Sequence, residues 1–154
     1  MFKEIRRKDR EMDQETSIEL LHTGEYGVLS LAEKEGYPYG VPLSYVYLNG
    51  SIYFHCALEG HKLELLQQNN KASFCVVGET SPLPNQFSVR YKSVIVFGEI
   101  AEVKDVEKRE ALVAFLEKYS SDYIEKGMKY LEKDEHRTKV FKMTIIHMTG
   151  KNRK

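Results

Sequence analysis

Apolar and polar positions alternate with a period of two along much of this chain, and they switch to helical spacing in four shorter stretches. From Tyr37 to Leu48 the odd positions are Tyr37, Tyr39, Val41, Leu43, Tyr45 and Tyr47, which predicts a long strand with one aromatic-rich face. Pro38 and Pro42 share the other face. Proline has no N–H to give to a ladder, so this strand is expected at an edge, bulged or bent. Asn49-Gly50 follows as a strong two-residue hairpin signal. Ser51 to Ala57 then returns, with Ile52, Phe54 and Cys56 facing one way and Tyr53 and His55 the other. Tyr26 to Ala32 and Ala72 to Val77 are shorter strand patterns. Ser88 to Val103 is long and extended, with Gly98 placed for a bulge or bend. Thr138 to Thr149 is apolar on both faces, which predicts a central, covered strand.

The helical stretches carry their own punctuation. Thr16 and Glu19 have capping-box spacing ahead of Leu20 and Leu21, so a helix is expected to run to about Thr23, with Gly24 to stop it. His61 to about Asn69 predicts a second helix, with Leu63 and Leu66 on its inner side. Asp105 is placed to cap a third, which carries Leu112, Phe115, Leu116 and Tyr119 at helical spacing. Ser120-Ser121 breaks it, and Tyr123, Met128 and Leu131 mark a fourth that Gly127 weakens. Glu79 to Asn85 holds two prolines and reads as a loop. Strands joined by tight turns with few crossovers favour a mostly β (α+β) architecture, an antiparallel barrel with peripheral helices. No repeat or low-complexity tract interrupts residues 1–154, so one domain is the simplest organisation.

Composition narrows the partners. Lys plus Arg and Asp plus Glu each number 23, so the chain lacks the broad positive field that nucleic-acid binding or adhesion to an anionic membrane uses. Basic residues gather at both ends, from Lys3 to Arg10 and from Lys151 to Lys154, as solvated tails or as a binding arm. No apolar run approaches the ~20 residues of a membrane span, and the first residues have no hydrophobic stretch of signal-peptide type. Cys56 and Cys75 form no disulfide framework. The expectation is a soluble cytoplasmic protein with reduced thiols.

Motif chemistry excludes several classes. There is no GxGxxG fingerprint, no Walker A loop, no zinc-ligand spacing and no GxSxG elbow. What remains is Gly60-His61-Lys62 at a helix start. A cation in the first turn faces the positive end of the macrodipole and is disfavoured by a few tenths of a kcal/mol. A phosphate between Lys62 and the free N–H groups would reverse that sign; a solvated lysine is the other reading. His55 ends its strand just before Gly60, so it returns to the same rim, either to donate or shuttle a proton or as a backbone-satisfied histidine. Tyr45 and Tyr47 suit stacking on an aromatic ligand or packing in a core. Arg90 and Lys92 suit a second anion or surface charge pairing. Together these positions point to an aromatic, phosphorylated ligand on a barrel wall.

The runs Val41-Pro42-Leu43-Ser44-Tyr45, Ile52-Tyr53-Phe54-His55-Cys56-Ala57-Leu58-Glu59-Gly60-His61-Lys62 and Arg90-Tyr91-Lys92-Ser93-Val94, with Gly98, resemble the pyridoxamine-phosphate-oxidase-related flavoproteins, and within them the nitroimidazole-resistance (Nim-type) branch. The opening Ile5-Arg6-Arg7-Lys8-Asp9-Arg10 is similar too, so the resemblance spans about residues 5 to 149. It implies an antiparallel split β-barrel that forms a homodimer and binds FMN at the subunit interface, with FAD or a deazaflavin as alternatives. Leu43, Ser44 and Tyr45 would run beside the flavin ring. Phe54, His55, Cys56 and Ala57, with His61 and Lys62, would surround the ribityl chain and phosphate. Ser93 and Val94 would reach the flavin across the dimer. His55 is the implied catalytic residue, Cys56 a contact only, and no metal is implied. The Nim-type branch implies an oxidoreductase that passes electrons from a reduced nicotinamide to small, nitroaromatic acceptors. Rival readings are a flavin-binding or sensing module without turnover, and a haem-binding split barrel with an axial histidine. The segment between Asp105 and Glu135 matches no motif of the family and reads as this chain's own elaboration.

Overall fold

The computed structural model describes residues 1–154. Its strands are β1 (Glu11–Met12), β2 (Gly27–Leu31), β3 (Tyr39–Leu43), β4 (Val46–Leu48), β5 (Ser51–Cys56), β6 (Lys71–Val77), β7 (Ser81–Leu83), β8 (Ser88–Val103) and β9 (Lys139–Arg153). Seven of them pair antiparallel in the order β3-β2-β6-β8-β9-β5-β4, with β1 added to β9 and β7 to β8. β3 and β4 therefore lie at opposite ends of the path, yet only Ser44 and Tyr45 separate them in sequence. A link that short spans roughly 10 Å at most, so the sheet must curl until its two edges nearly meet. They approach without pairing, and the result is an antiparallel split β-barrel.

The long strand expected from Tyr37 to Leu48 is thus two strands. The break falls after Pro42, and both halves occupy edges, where a proline costs no ladder bond. Asn49 and Gly50 take φ of 51° and 79°, which closes the β4–β5 hairpin with Leu48 opposite Ser51. β9 is central, as its two apolar faces require, and pairs with β8, β5 and β1. The β8–β9 register slips between Phe97 and Gly98, where the sheet bends.

Four helices lie against the sheet: α1 (Gln14–Thr23), α2 (His61–Gln68), α3 (Asp105–Tyr119) and α4 (Ile124–Asp134). The cap of α1 is Asp13, whose carboxylate accepts the Thr16 N–H at 2.7 Å, so the helix starts ahead of the Thr16–Glu19 pair. Gly24 ends it in an extended conformation. Its lack of a side chain answers to crowding, since a Cβ there would meet Val76 Cγ1 at 2.5 Å and the Tyr45 hydroxyl at 2.6 Å. α2 buries Leu63 and Leu65, with Leu66 half-buried, which shifts its inner face from the one expected. Asp105 is the first residue of α3 and not its cap; Lys104 holds that place with no capping side chain. The 79–85 segment is partly ordered as β7, which pairs with the start of β8.

Two apolar clusters result. The larger fills the curled sheet around Leu29, Tyr45, Ile52, Phe54, Phe74 and Val96. The smaller, with Tyr53, Val103, Ala111, Phe115 and Val140, lies under α3. β5 is packed on both faces, and its period-two alternation sends Ile52 and Phe54 to one cluster and Tyr53 to the other. No helix is long and apolar enough to cross a membrane.

Candidate functional site

β5 ends at Cys56 and the chain turns through Gly60 into α2. Gly60 has φ 147° and ψ 169°, a region closed to other residues, although a Cβ there would meet nothing within 4 Å. Glycine is needed at this turn for its backbone angle and not for space. As the N-cap it offers no side chain, and only the Glu64 N–H returns to its carbonyl, at 3.2 Å. The N–H groups of His61, Lys62 and Leu63 have no protein acceptor. Lys62 is half-buried, with Nζ 5.8 Å from the Phe54 ring centre, and pairs with none of the chain's carboxylates. His61 stands edge-on to Tyr39 of β3 at 4.8 Å, with its Nδ1 3.7 Å from Glu64 Oε2. An uncapped helix start with an unpaired lysine is a seat that fits a phosphate.

His55 and Cys56 share this rim on opposite faces of β5, as period-two alternation requires. One edge of His55 is open to solvent while its ring meets Phe115 edge-on at 4.6 Å. Burial of the ring, and then the Lys62 charge, hold its pKa below 6.5, so the imidazole is neutral at pH 7. Burial raises the Cys56 thiol, and Lys62 only partly opposes it, so the sulfur stays protonated and is a poor nucleophile.

The crossing from β3 to β4 forms the neighbouring wall. Leu43 is half-buried and Ser44 exposed, whereas Tyr45 is wholly buried. The Tyr45 hydroxyl donates to the Leu21 carbonyl at 2.7 Å, and its ring meets Phe74 edge-on. Its N–H donates to the Tyr119 hydroxyl at 3.2 Å, and its carbonyl accepts from Lys118 Nζ and the Tyr119 hydroxyl, each at 2.9 Å. Lys118 Nζ also stands 3.9 Å from the centre of the Tyr45 ring. The side chains of Tyr45, Phe54 and Val94 are fully buried in the core. Ser44, His55, Ala57, His61 and Lys62 keep surface open to solvent.

Ser93 lies apart. On β8 it faces Lys151 of β9, while β5 pairs with β9 only as far as Thr144. Those seven β9 residues span roughly 23 Å, so one copy of the chain cannot bring Ser93 to the His55 rim. Arg90 and Lys92 line a cleft of about 1350 Å³ between α1 and the β8 and β9 ends. Asp13, Glu19 and Glu79 share its walls, which gives mixed charge and not a second anion seat. Neither His55 nor Lys62 lines that cleft. No three His, Cys, Asp or Glu side chains converge as metal ligands. Phe115, Lys118 and Tyr119 were not expected near the site. Phe115 and Tyr119 carried only a helical packing signal, and a lone lysine on a charged helix carries none.

Residues 13–152 match the description of pyridoxamine 5′-phosphate oxidase. The chain belongs to that family. The fold comparison agrees. A candidate 5-nitroimidazole antibiotic resistance protein from Bacteroides thetaiotaomicron is 25% identical, with TM-score 0.74, over 92% of this chain and 86% of that one. This likeness is in keeping with the Nim-type branch. An FAD-binding protein from Mesorhizobium loti is 22% identical, with TM-score 0.70, over 94% and 98% of the two chains. The flavocytochrome Anf3 from Azotobacter vinelandii is 18% identical, with TM-score 0.79, over 98% and 72%. The last two establish a shared fold. No curated protein matches the chain.

Proposed function

We propose that this chain binds FMN and works as a flavin-dependent oxidoreductase on small acceptors, nitroaromatic compounds among them. The observation that carries the reading is the uncapped start of α2, where three unpartnered N–H groups and an unpaired Lys62 stand beside His55. Family membership and flavin-binding neighbours support it. The same seat would hold the phosphate of a deazaflavin or the first phosphate of FAD. Residues 1–154 would act as one flavin-binding unit, paired as a homodimer so that Ser93 of a second copy meets the His55 rim. Exposed Ile95 and Val77 on the outer sheet face are the apolar surface available for that pairing.

The bound flavin would supply two-electron transfer between a reduced nicotinamide and the acceptor. Lys62 and the α2 N–H groups would hold the phosphate, with His61 and Ala57 flanking it. Leu43 and the exposed Ser44 would line the ring, while the buried Tyr45, Phe54 and Val94 keep that wall dry and rigid. Neutral His55 would orient the acceptor with a hydrogen bond from its ring N–H, while the proton that the acceptor takes up comes from solvent at the same open edge. Cys56 would pack beside the cofactor without reacting.

The visible spectrum of the purified protein, followed by FMN titration, tests this. A flavin spectrum is expected. Lys62→Ala should weaken retention by about 1.5–3 kcal/mol, the range for a hydrogen bond to a charged group, or roughly 10- to 150-fold in Kd. An unchanged Kd would remove Lys62 as the anchor. A Soret band in place of flavin would favour haem, and flavin without oxidation of any reduced nicotinamide would leave a binding module.

A further inference from the structure

We propose that α3 is the positioning wall of this site: Phe115, Lys118 and Tyr119, on one face of its last two turns, fix the His55 ring and the Ser44–Tyr45 crossing in the arrangement a flavin requires. The proposal rests on the flavin reading above. It gives a role to the helical segment between Asp105 and Glu135, expected as this chain's own elaboration but lying inside the 13–152 match to the family.

The spacing i, i+3, i+4 puts the three side chains on a single helix face. Phe115 meets the His55 ring edge-on at 4.6 Å. Four residues on, the Tyr119 hydroxyl accepts from the Tyr45 N–H, and its single proton is within reach of two carbonyls, Glu25 at 2.7 Å and Tyr45 at 2.9 Å. Lys118 adds a second donor to the same Tyr45 carbonyl. Burial of the ring would need none of these bonds. All the backbone polar groups of Tyr45 are engaged by α3, and its hydroxyl by α1. The exposed Ser44 just before it is thereby held at a fixed place on the rim. A slack two-residue link between unpaired sheet edges would otherwise be the least constrained part of the wall.

The wall has its own foundation. At the start of α3 the Tyr53 hydroxyl donates to Glu107 at 2.6 Å, and Lys142 of β9 pairs with the same carboxylate at 3.1 Å. Arg109 pairs with Glu135 beyond α4 at 3.2 Å. The helix is pinned at its far end to β5 and β9, and its near end grips the two segments that would meet the ligand. Both of those segments are thus referred to one rigid element.

Tyr119→Phe and Phe115→Leu test this, with Leu131→Ala on α4 as a variant that removes buried apolar volume away from the rim. Three quantities are read on each folded protein: the urea midpoint, the Kd for FMN, and the visible circular dichroism of saturated flavin. Tyr119→Phe and Phe115→Leu should each weaken FMN about tenfold or more and change the flavin dichroism at saturation, while Leu131→Ala lowers the midpoint yet stays within about twofold of the wild-type Kd. Wild-type Kd and dichroism in both rim variants would overturn the proposal, as would an equal loss of FMN in Leu131→Ala. A wild-type chain that takes no flavin defeats the flavin reading and this inference with it. A wild type that binds FMN as well as both variants do defeats the inference alone.

Discussion

Two donors converge on one carbonyl, and this makes the stability of the crossing non-additive in a way that can be measured. Tyr119→Phe keeps the ring and its packing against Phe115 but removes the hydroxyl that serves Tyr45 and Glu25. The Tyr45 carbonyl still accepts from Lys118 and the exposed Glu25 carbonyl turns to water, so the group left unpaired is the Tyr45 N–H. An unsatisfied buried donor costs about 1–3 kcal/mol. Tyr119 is 40% exposed, so water reaches part of the gap and the lower half of that range applies, about 1–2 kcal/mol. For a chain of this length the fall in Tm is about 2–8 °C. Lys118→Met behaves differently. The lost bond is charge-assisted, but burial already lowers the Lys118 pKa to about 8, so keeping the ammonium in place has its own cost. The two effects oppose each other, and the single variant should lie within about 1 kcal/mol of wild type. In the double variant both the N–H and the C=O of Tyr45 are stranded, and the cycle should show about 1–2 kcal/mol of coupling. Urea unfolding at pH 7 with an unchanged m value is the assay. A Tyr119→Phe loss below about 0.5 kcal/mol, or a cycle additive within that margin, would show that these bonds do not hold the crossing.

Two further outcomes follow from the rim itself. The His55 titration, read by NMR, should lie below 6.5 and move up in Lys62→Ala, since the variant removes one of its two causes. Because the folded value is the lower one, the unfolded chain binds the extra proton first, and this histidine's contribution is lost as pH falls from about 6.5 through its folded value. Gly60→Ala should lower stability by about 1–3 kcal/mol in a urea melt despite open space around the added methyl, because φ 147° is closed to alanine. A neutral outcome there would mean that the turn relaxes freely.

The strands and their faces followed from periodicity because each obeys a local rule. The Asn49-Gly50 turn, the two-sided β9 and the Gly98 slip are all of this kind. The β3–β4 break was hidden, since Tyr45 keeps period-two phase through it while the chain passes from one sheet edge to the other. That is a property of sheet closure and has no local signature. The glycine–lysine helix start was readable because it sets a side chain against the helix dipole. The fate of Tyr45, Phe54 and Val94 was not, because alternation tells which face a residue takes and not whether that face is filled by core or left for a ligand. The contacts of α3 join residues 73 and 74 apart in sequence, beyond the reach of any spacing argument.

β9 sits in the middle of the sheet while following all its sheet partners in sequence, and this orders events during translation. Until it emerges, β5 has only its short β4 hairpin partner, and the β3-β2-β6-β8 half has no bridge to it. Ile52 and Phe54 would wait on a nascent chain with their β9 partners, Met143 and Phe141, still unmade. Sheets assembled from such distant pairings form slowly and leave unpaired edges exposed meanwhile. Arrival of β9 would join the two halves in a single step, so the ligand corner at the end of β5 comes into being only after α3 and α4 have been made.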